Sequence, residues 1–224
     1  MSFHTFKRAL AAVGMIAACA VPAVAQNYEG PHQVRVGAFL QGGGTTLSGT
    51  STAPAFFGTS ETGSFGNNGA GITGGLEFLR QGGWTYGIEG DFGVAKGQRS
   101  LVGARYASDY ATSLRGRLGV YARPDWLFYG TGGIAFKGVT VTELGGASNG
   151  KTLTGGVYGL GTEFHRGNSI FFTEYLHSQF SRTNDAVGAN TYSIKGNSDA
   201  IRVGVKFKVG FDGYYDEVRD TLRR

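Results

Sequence analysis

Glu174, His177 and Ser178 bring a carboxylate, an imidazole and a hydroxyl into one short stretch, the three groups that nucleophilic ester hydrolysis uses. Their spacing argues against that chemistry. In an extended strand, neighbouring side chains point to opposite faces, so His177 and Ser178 cannot serve one substrate. His32, His165 and His177 are scattered with no ligand spacing, and no metal site is expected. The glycine clusters at Gly130, Gly132 and Gly133 and at Gly155 and Gly156 lack the following helix that phosphate cradling requires. No catalytic residue, cofactor or metal ligand is assigned, and the chain is expected not to be an enzyme.

What remains is a set of ionisable side chains whose signs segregate along the chain. Acids stand at Glu77, Glu89, Asp91, Glu163 and Glu174, and bases at Arg35, Arg115, Arg117, Arg202, Lys206 and Lys208. The segments carrying them alternate apolar and polar residues, the period-2 signature of a strand with two different faces. Ile201, Val203, Val205, Phe207 and Val209 interleave with Arg202, Gly204, Lys206 and Lys208. Leu114, Leu118 and Val120 interleave with Arg115, Arg117 and Tyr121, and Trp84, Tyr86, Ile88 and Phe92 with Thr85, Glu89 and Asp91. Eight such segments start near Val34, Gly71, Trp84, Ala111, Trp126, Thr152, Ile170 and Asp199.

Composition agrees with β structure. Of 224 residues 40 are glycine and 13% are aromatic, with no Gly-X-Y period. The net charge of +5 is mixed in sign and forms no basic block, so no nucleic-acid partner is expected. Residues 1–25 read as a cleaved export signal: Lys7 and Arg8, an apolar run from Ala9 to Val21, and Ala23-Val24-Ala25 as the cleavage site. Ile16-Ala17-Ala18-Cys19 also fits a lipoprotein site, which leaves lipidation of Cys19 as the alternative. Cleavage after Ala25 removes the only cysteine, and a disulfide scaffold is excluded.

The connections between segments alternate in length. Short turns fall at Gln81-Gly82-Gly83, Arg123-Pro124-Asp125 and Arg166-Gly167-Asn168, and long ones cover 42–70, 95–110, 141–151 and 181–198. That asymmetry describes an outer-membrane barrel with its turns in the periplasm. A lipocalin-like barrel or a sandwich also alternates. Two features favour the membrane: one face is almost free of charge, and aromatics gather near strand ends at Trp84, Trp126, Phe128, Phe164 and Phe171. The expected fold is all-β: an eight-stranded antiparallel transmembrane up-and-down barrel over 26–209, with four long extracellular loops and a short periplasmic tail at 210–224. Tyr215, Val218 and Leu222 at helical spacing leave that tail open between a short amphipathic helix and a frayed end.

Residues 113–120, Ser-Leu-Arg-Gly-Arg-Leu-Gly-Val, followed by 129–136, Tyr-Gly-Thr-Gly-Gly-Ile-Ala-Phe, resemble the central hairpin of the opacity-type porin family. Its members are also called outer-membrane immunogenic proteins of alphaproteobacteria. Residues 156–164 and Thr173-Glu174-Tyr175 look like that family's next hairpin. The resemblance covers most of 33–209 and implies an OmpA-type barrel in the Gram-negative outer membrane. It leaves the role open among envelope-structural proteins, surface antigens, adhesins, porins and hemin binders. Arg202, Gly204, Phe207 and Val209 resemble the terminal signal read by the outer-membrane assembly machinery, although residues 210–224 follow here.

With the charged face inward, the barrel interior holds the acids and bases named above. Setting Glu89 opposite Arg117 also sets Asp91 opposite Arg115, so one register between those strands serves two stabilising pairs. An eight-stranded barrel is barely wide enough for its own side chains, and long paired charges fill it. The reading is a non-catalytic barrel with a plugged lumen, contributing to envelope structure and surface display. The alternatives are a narrow porin-like channel for small solutes and an adhesin acting through loop 42–70, whose Thr45, Thr46, Thr52, Phe56, Phe57 and Phe65 suit host contact. Expected partners are outer-membrane lipid, lipopolysaccharide and the assembly machinery.

Overall fold

A computed structural model describes residues 32–52, 59–79, 83–143, 146–187 and 190–209. The export signal, Cys19, Phe56, Phe57 and the tail at 210–224 lie outside the described residues. The described chain is strand almost throughout: β1 His32–Ser51, β2 Ser60–Gly66, β3 Asn68–Leu79, β4 Trp84–Leu101, β5 Ala104–Arg123, β6 Trp126–Glu143, β7 Ser148–Arg166, β8 Ser169–Val187 and β9 Asn190–Val209. Every pairing is antiparallel, β3 to β9 follow one another in order, and β9 closes onto β1 from Val34↔Val209 to Ser51↔Tyr192.

Nine strands make eight staves. β2 and β3 pair with β1 in one continuous register, Gly44↔Gly66 and then Gln41↔Gly69, and are two parts of a single stave broken at Asn67. At the break, the Asn67 amide donates to the Gly43 carbonyl at 2.9 Å.

The staves run well past the boundaries that the polar composition suggests. The stretch 95–110 is the end of β4 and the start of β5, joined by a tight turn at Val102-Gly103 with φ of 45° and 79°. The stretches 42–70, 141–151 and 181–198 are likewise mostly strand. The four long loops are therefore upright β-hairpins, and the strands start earlier than the alternation suggests, at Ala104, Ser148 and Asn190.

The physical reason is that each stave changes solvent along its length. Near the short turns the outer wall is apolar and bare, with Leu40 64% and Leu160 71% exposed, while the inner wall is charged and buried. Trp84, Trp126, Phe128, Phe164 and Phe171 ring the short-turn end of that belt. A belt of exposed Leu, Ile, Val and aromatics of this kind suits hydrocarbon. Towards the hairpin end the faces exchange character. Leu47, Tyr106, Val139, Val141, Leu153 and Ile194 point inward and form a buried apolar core. The outer face there carries hydroxyl pairs, Thr46 with Ser64 and Ser48 with Thr62, each at 2.8 Å. That half obeys the ordinary rule for a protein in water. Register shifts at Val94/Gly97, Ser108/Tyr110 and Phe180/Thr183 all lie on the way into it, where bulges adjust which face a side chain meets.

Candidate functional site

The short-turn half of the lumen is filled by five cations and five carboxylates: Arg35, Arg115, Arg117, Arg202 and Lys206 with Glu77, Glu89, Asp91, Glu163 and Glu174. Their side chains are buried, and the cluster as named carries no net formal charge. Alternation puts them there, since each occupies the inward parity of its strand.

Arg115 lies at the centre, with Nη2 donating to Glu89 Oε1 at 2.9 Å and Asp91 Oδ2 at 3.1 Å, and Nη1 donating to Glu174 Oε2 at 2.9 Å. Arg117 donates to Glu89 at 2.9 Å and to Glu163 at 2.6 Å, and its guanidinium lies 3.9 Å over the Tyr129 ring. Arg35 donates to Glu163 at 2.7 Å, to Gln33 at 2.9 Å, and also to Glu77. Arg202 reaches Asp91 at 3.1 Å and Glu174 at 3.5 Å, and lies over Phe39. Lys206 donates to Glu89 and, at 3.1 Å, to Glu163, with Phe172 beneath its ammonium. Charged groups withdrawn from water need such multiple partners, because an uncompensated buried charge is costly. Lys208, on the same face of β9, is half-buried nearer the strand end.

The register of β4 and β5 differs from the one that pairing of neighbours suggests. Glu89 lies opposite Arg115, Asp91 opposite Ser113, and Arg117 opposite Gly87, two residues from the expected alignment. Arg117 still meets Glu89, and Arg115 still meets Asp91, on the diagonal. Long side chains reach diagonal neighbours as readily as direct ones, so charge complementarity does not fix register. The tight turn at Val102-Gly103 and the bulge after Val94 do.

Several contacts join staves that are not neighbours in the sheet. Arg35 on β1 and Arg117 on β5 both hold Glu163 on β7, Arg115 on β5 holds Glu174 on β8, and Arg202 and Lys206 on β9 hold Asp91 and Glu89 on β4. Pairwise strand reasoning cannot find these contacts, because they depend on closure. It also misses Tyr129, whose hydroxyl donates to Glu174 at 3.2 Å, and His165, 3.4 Å from Glu163. Tyr129 fits only because Gly161 faces it: a Cβ there would lie 2.4 Å from the ring.

Beyond the network, towards the hairpins, lies a cavity of about 30 Å³ lined by polar groups that include Gln41, Asn67, Ser113, Ser198, Arg202 and Lys137. Lys137 continues the inward parity of Tyr129 and Thr131 along β6 and was legible from that parity alone. The hydrolytic set is not brought together. Glu174 and Ser178 face the lumen, while His177 lies on the outer wall beside Tyr158, its Nδ1 2.8 Å from Asp199. Among the described residues, no group of three His, Cys, Asp or Glu side chains is placed to hold a metal.

A closed antiparallel ring with a charged lumen and a bare apolar belt meets its match in the family comparison. The profile of the outer membrane protein beta-barrel domain aligns with residues 11–208. The chain belongs to that family. It is an outer-membrane β-barrel protein, and by the family's usual orientation its short turns face the periplasm and its hairpins the outside. Among curated relatives, a 22 kDa outer membrane protein of Rhizobium leguminosarum bv. viciae is 30% identical over 131 residues, covering 57% of this chain and 61% of that one. A 25 kDa outer-membrane immunogenic protein of Brucella canis is 32% identical over 125 residues, covering 55% of this chain and 57% of that one. The matched segments thus span about three fifths of those relatives. Among solved structures, the outer membrane protein OprG of Pseudomonas aeruginosa aligns with 78% of this chain and 97% of its own at a TM-score of 0.50 and 12% identity, a likeness of fold.

Proposed function

We propose that this barrel is non-catalytic, that it contributes to outer-membrane structure and displays its hairpins at the surface, and that its lumen does not conduct. The observation that supports this reading is the set of ion pairs across the bore, above all Glu163 held from three other staves by Arg35, Arg117 and Lys206. A solute following the axis would have to separate these pairs, and separating a buried pair costs several kcal/mol, about 3–5 when one partner is removed. The test is single-channel conductance of the refolded mature protein in a planar bilayer, beside an Arg115→Ala/Arg117→Ala variant. Silence in the wild type with openings in the variant is the expected result. Steady wild-type conductance would refute the plugged reading and favour a narrow porin-like channel. That second reading draws on the water-sized cavity above the network.

A surface-binding role would belong to the β1–β2 hairpin, whose outer face presents Thr46, Ser48, Thr62 and Ser64. The apolar belt fits outer-membrane lipid, and the hydroxyl-rich wall above it fits lipopolysaccharide sugars. Arg202 and Gly204 face the lumen while Phe207 and Val209 face outward on the closing strand, an arrangement open to the assembly machinery before β9 meets β1.

A further inference from the structure

Lys137 is the buried cation that the neutral network leaves out. Its residue is 1% exposed, and no carboxylate lies within ion-pair distance of it among the described residues. Its Nζ donates to the Thr45 hydroxyl at 2.6 Å, and the Phe65 ring lies 5.9 Å away. An ammonium has three protons to donate, so a single hydroxyl leaves most of its capacity unused.

The cavity of about 30 Å³ opens beside this ammonium. A space of that size exceeds the roughly 10–15 Å³ that one water requires. Its lining brings the Lys137 ammonium together with the side-chain amides of Gln41 and Asn67, while the Ser113 hydroxyl donates to Asp91 and the Arg202 guanidinium to Asp91, Glu174 and Gln41. Part of that lining is already ordered. Thr45 and Ser198 share a hydrogen bond at 3.0 Å, and the Asn67 side-chain amide donates to Ser198 at 3.3 Å. The floor is the ion-pair cluster, whose carboxylates are each occupied by their own cations, and the roof is the apolar core around Leu153 and Leu176.

We propose that this cavity is a binding site for one small monovalent anion of halide size, held by Lys137 and the neighbouring amides of Gln41 and Asn67. The physical argument is charge balance. Five carboxylates already answer five cations below, and Lys137, when protonated, is a sixth buried cation with no carboxylate in reach among the described residues, so an anion bound beside it would offset the cost of burying its charge. A divalent oxyanion is too large for the space and would overshoot the single charge. The apolar core lies above the site and the ion pairs below it.

The test uses the full mature barrel refolded into detergent micelles. Crystals grown in sodium bromide are measured at the bromine absorption edge, and thermal unfolding is followed in chloride and in gluconate of equal ionic strength. The expected result is one anomalous peak inside the lumen within hydrogen-bond reach of Lys137 Nζ, absent from Lys137→Met. The wild-type unfolding temperature should rise with chloride concentration at constant ionic strength, and that of the variant should stay flat. Bromide crystals of the wild type with no luminal peak, or a chloride dependence as steep in Lys137→Met as in the wild type, would overturn the assignment. The peak is read on the wild type, so a variant that fails to fold does not remove the test. Conductance plays no part in either readout.

Discussion

Replacing Arg115 by methionine keeps most of the side-chain volume and deletes the charge at the centre of the lumen. Three carboxylates lose a donor. Glu89 keeps Arg117 and Lys206, and Asp91 keeps Arg202, but Glu174 retains only Arg202 at 3.5 Å and the Tyr129 hydroxyl at 3.2 Å. The cluster changes from balanced to one excess negative charge, located mostly at Glu174. Removing one partner of a buried ion pair typically costs about 3–5 kcal/mol, and the 1% exposure of Arg115 leaves little water to relieve it. The expected loss for Arg115→Met is therefore about 3–5 kcal/mol, measured by reversible urea unfolding in lipid vesicles.

Adding Glu174→Gln to Arg115→Met restores the balance with four charges of each sign, and the amide can still accept from Tyr129. The double variant should recover a substantial part of the loss, with a coupling energy of about 1–3 kcal/mol in the cycle. Two outcomes would refute the reasoning. A cost below about 1 kcal/mol for Arg115→Met would mean that the lumen is wet enough to screen the pairs, as at an exposed site. A double variant as unstable as the sum of the singles would mean that the methionine fails by packing and that charge balance is irrelevant.

Gly161→Ala places a methyl group 2.4 Å from the Tyr129 ring and should destabilise by about 1–3 kcal/mol. Tyr129→Leu in the same chain should relieve most of that cost, and urea midpoints of the two variants decide it. Leu153→Ala opens a hole in the hairpin core, where truncation of a buried leucine costs about 2–5 kcal/mol. Because that core stands apart from the ion-pair network, amide exchange should accelerate in the hairpin half, with the belt half unchanged. Equal acceleration throughout would show the two halves to be one cooperative unit. Phe207→Ala should reduce the amount of barrel assembled in cells while leaving refolding of purified protein in detergent intact; unchanged assembly in cells would remove the strand from any signalling role.

The belt half was legible in the sequence because its two faces differ so sharply. Arg115 and Arg117 between Leu114 and Leu118, or Arg202 and Lys206 between Ile201 and Phe207, declare parity without ambiguity. The hairpin half was not, although the period is the same. In Gly138-Val139-Thr140-Val141-Thr142 the apolar residues occupy the parity that bears Lys137 and Tyr129 lower down, and the threonines occupy the lipid-facing parity. A reader following one face meets charge, then valine, and takes the change for the end of the strand. The bulge between Ser108 and Tyr110 compounds this by moving the inward parity from Tyr106 and Ser108 to Ser113 and Arg115. The missed partners of the network have a different cause. Arg35 with Glu163 and Lys206 with Glu89 are contacts of a closed curve, and no list of adjacent strands contains them.

The exchange of faces along each stave gives one wall two rules for inheritance. At Ile134, outward on β6, a change to lysine places a charge in hydrocarbon; at Thr140, on the same strand and the same parity, it adds one more soluble side chain. Substitution is thus restricted on the belt part of the outer wall, and above it nearly free, because the hairpins are held upright from within by Val139, Val141 and Leu153. The molecule can alter its exterior appearance without disturbing the anchor beneath it.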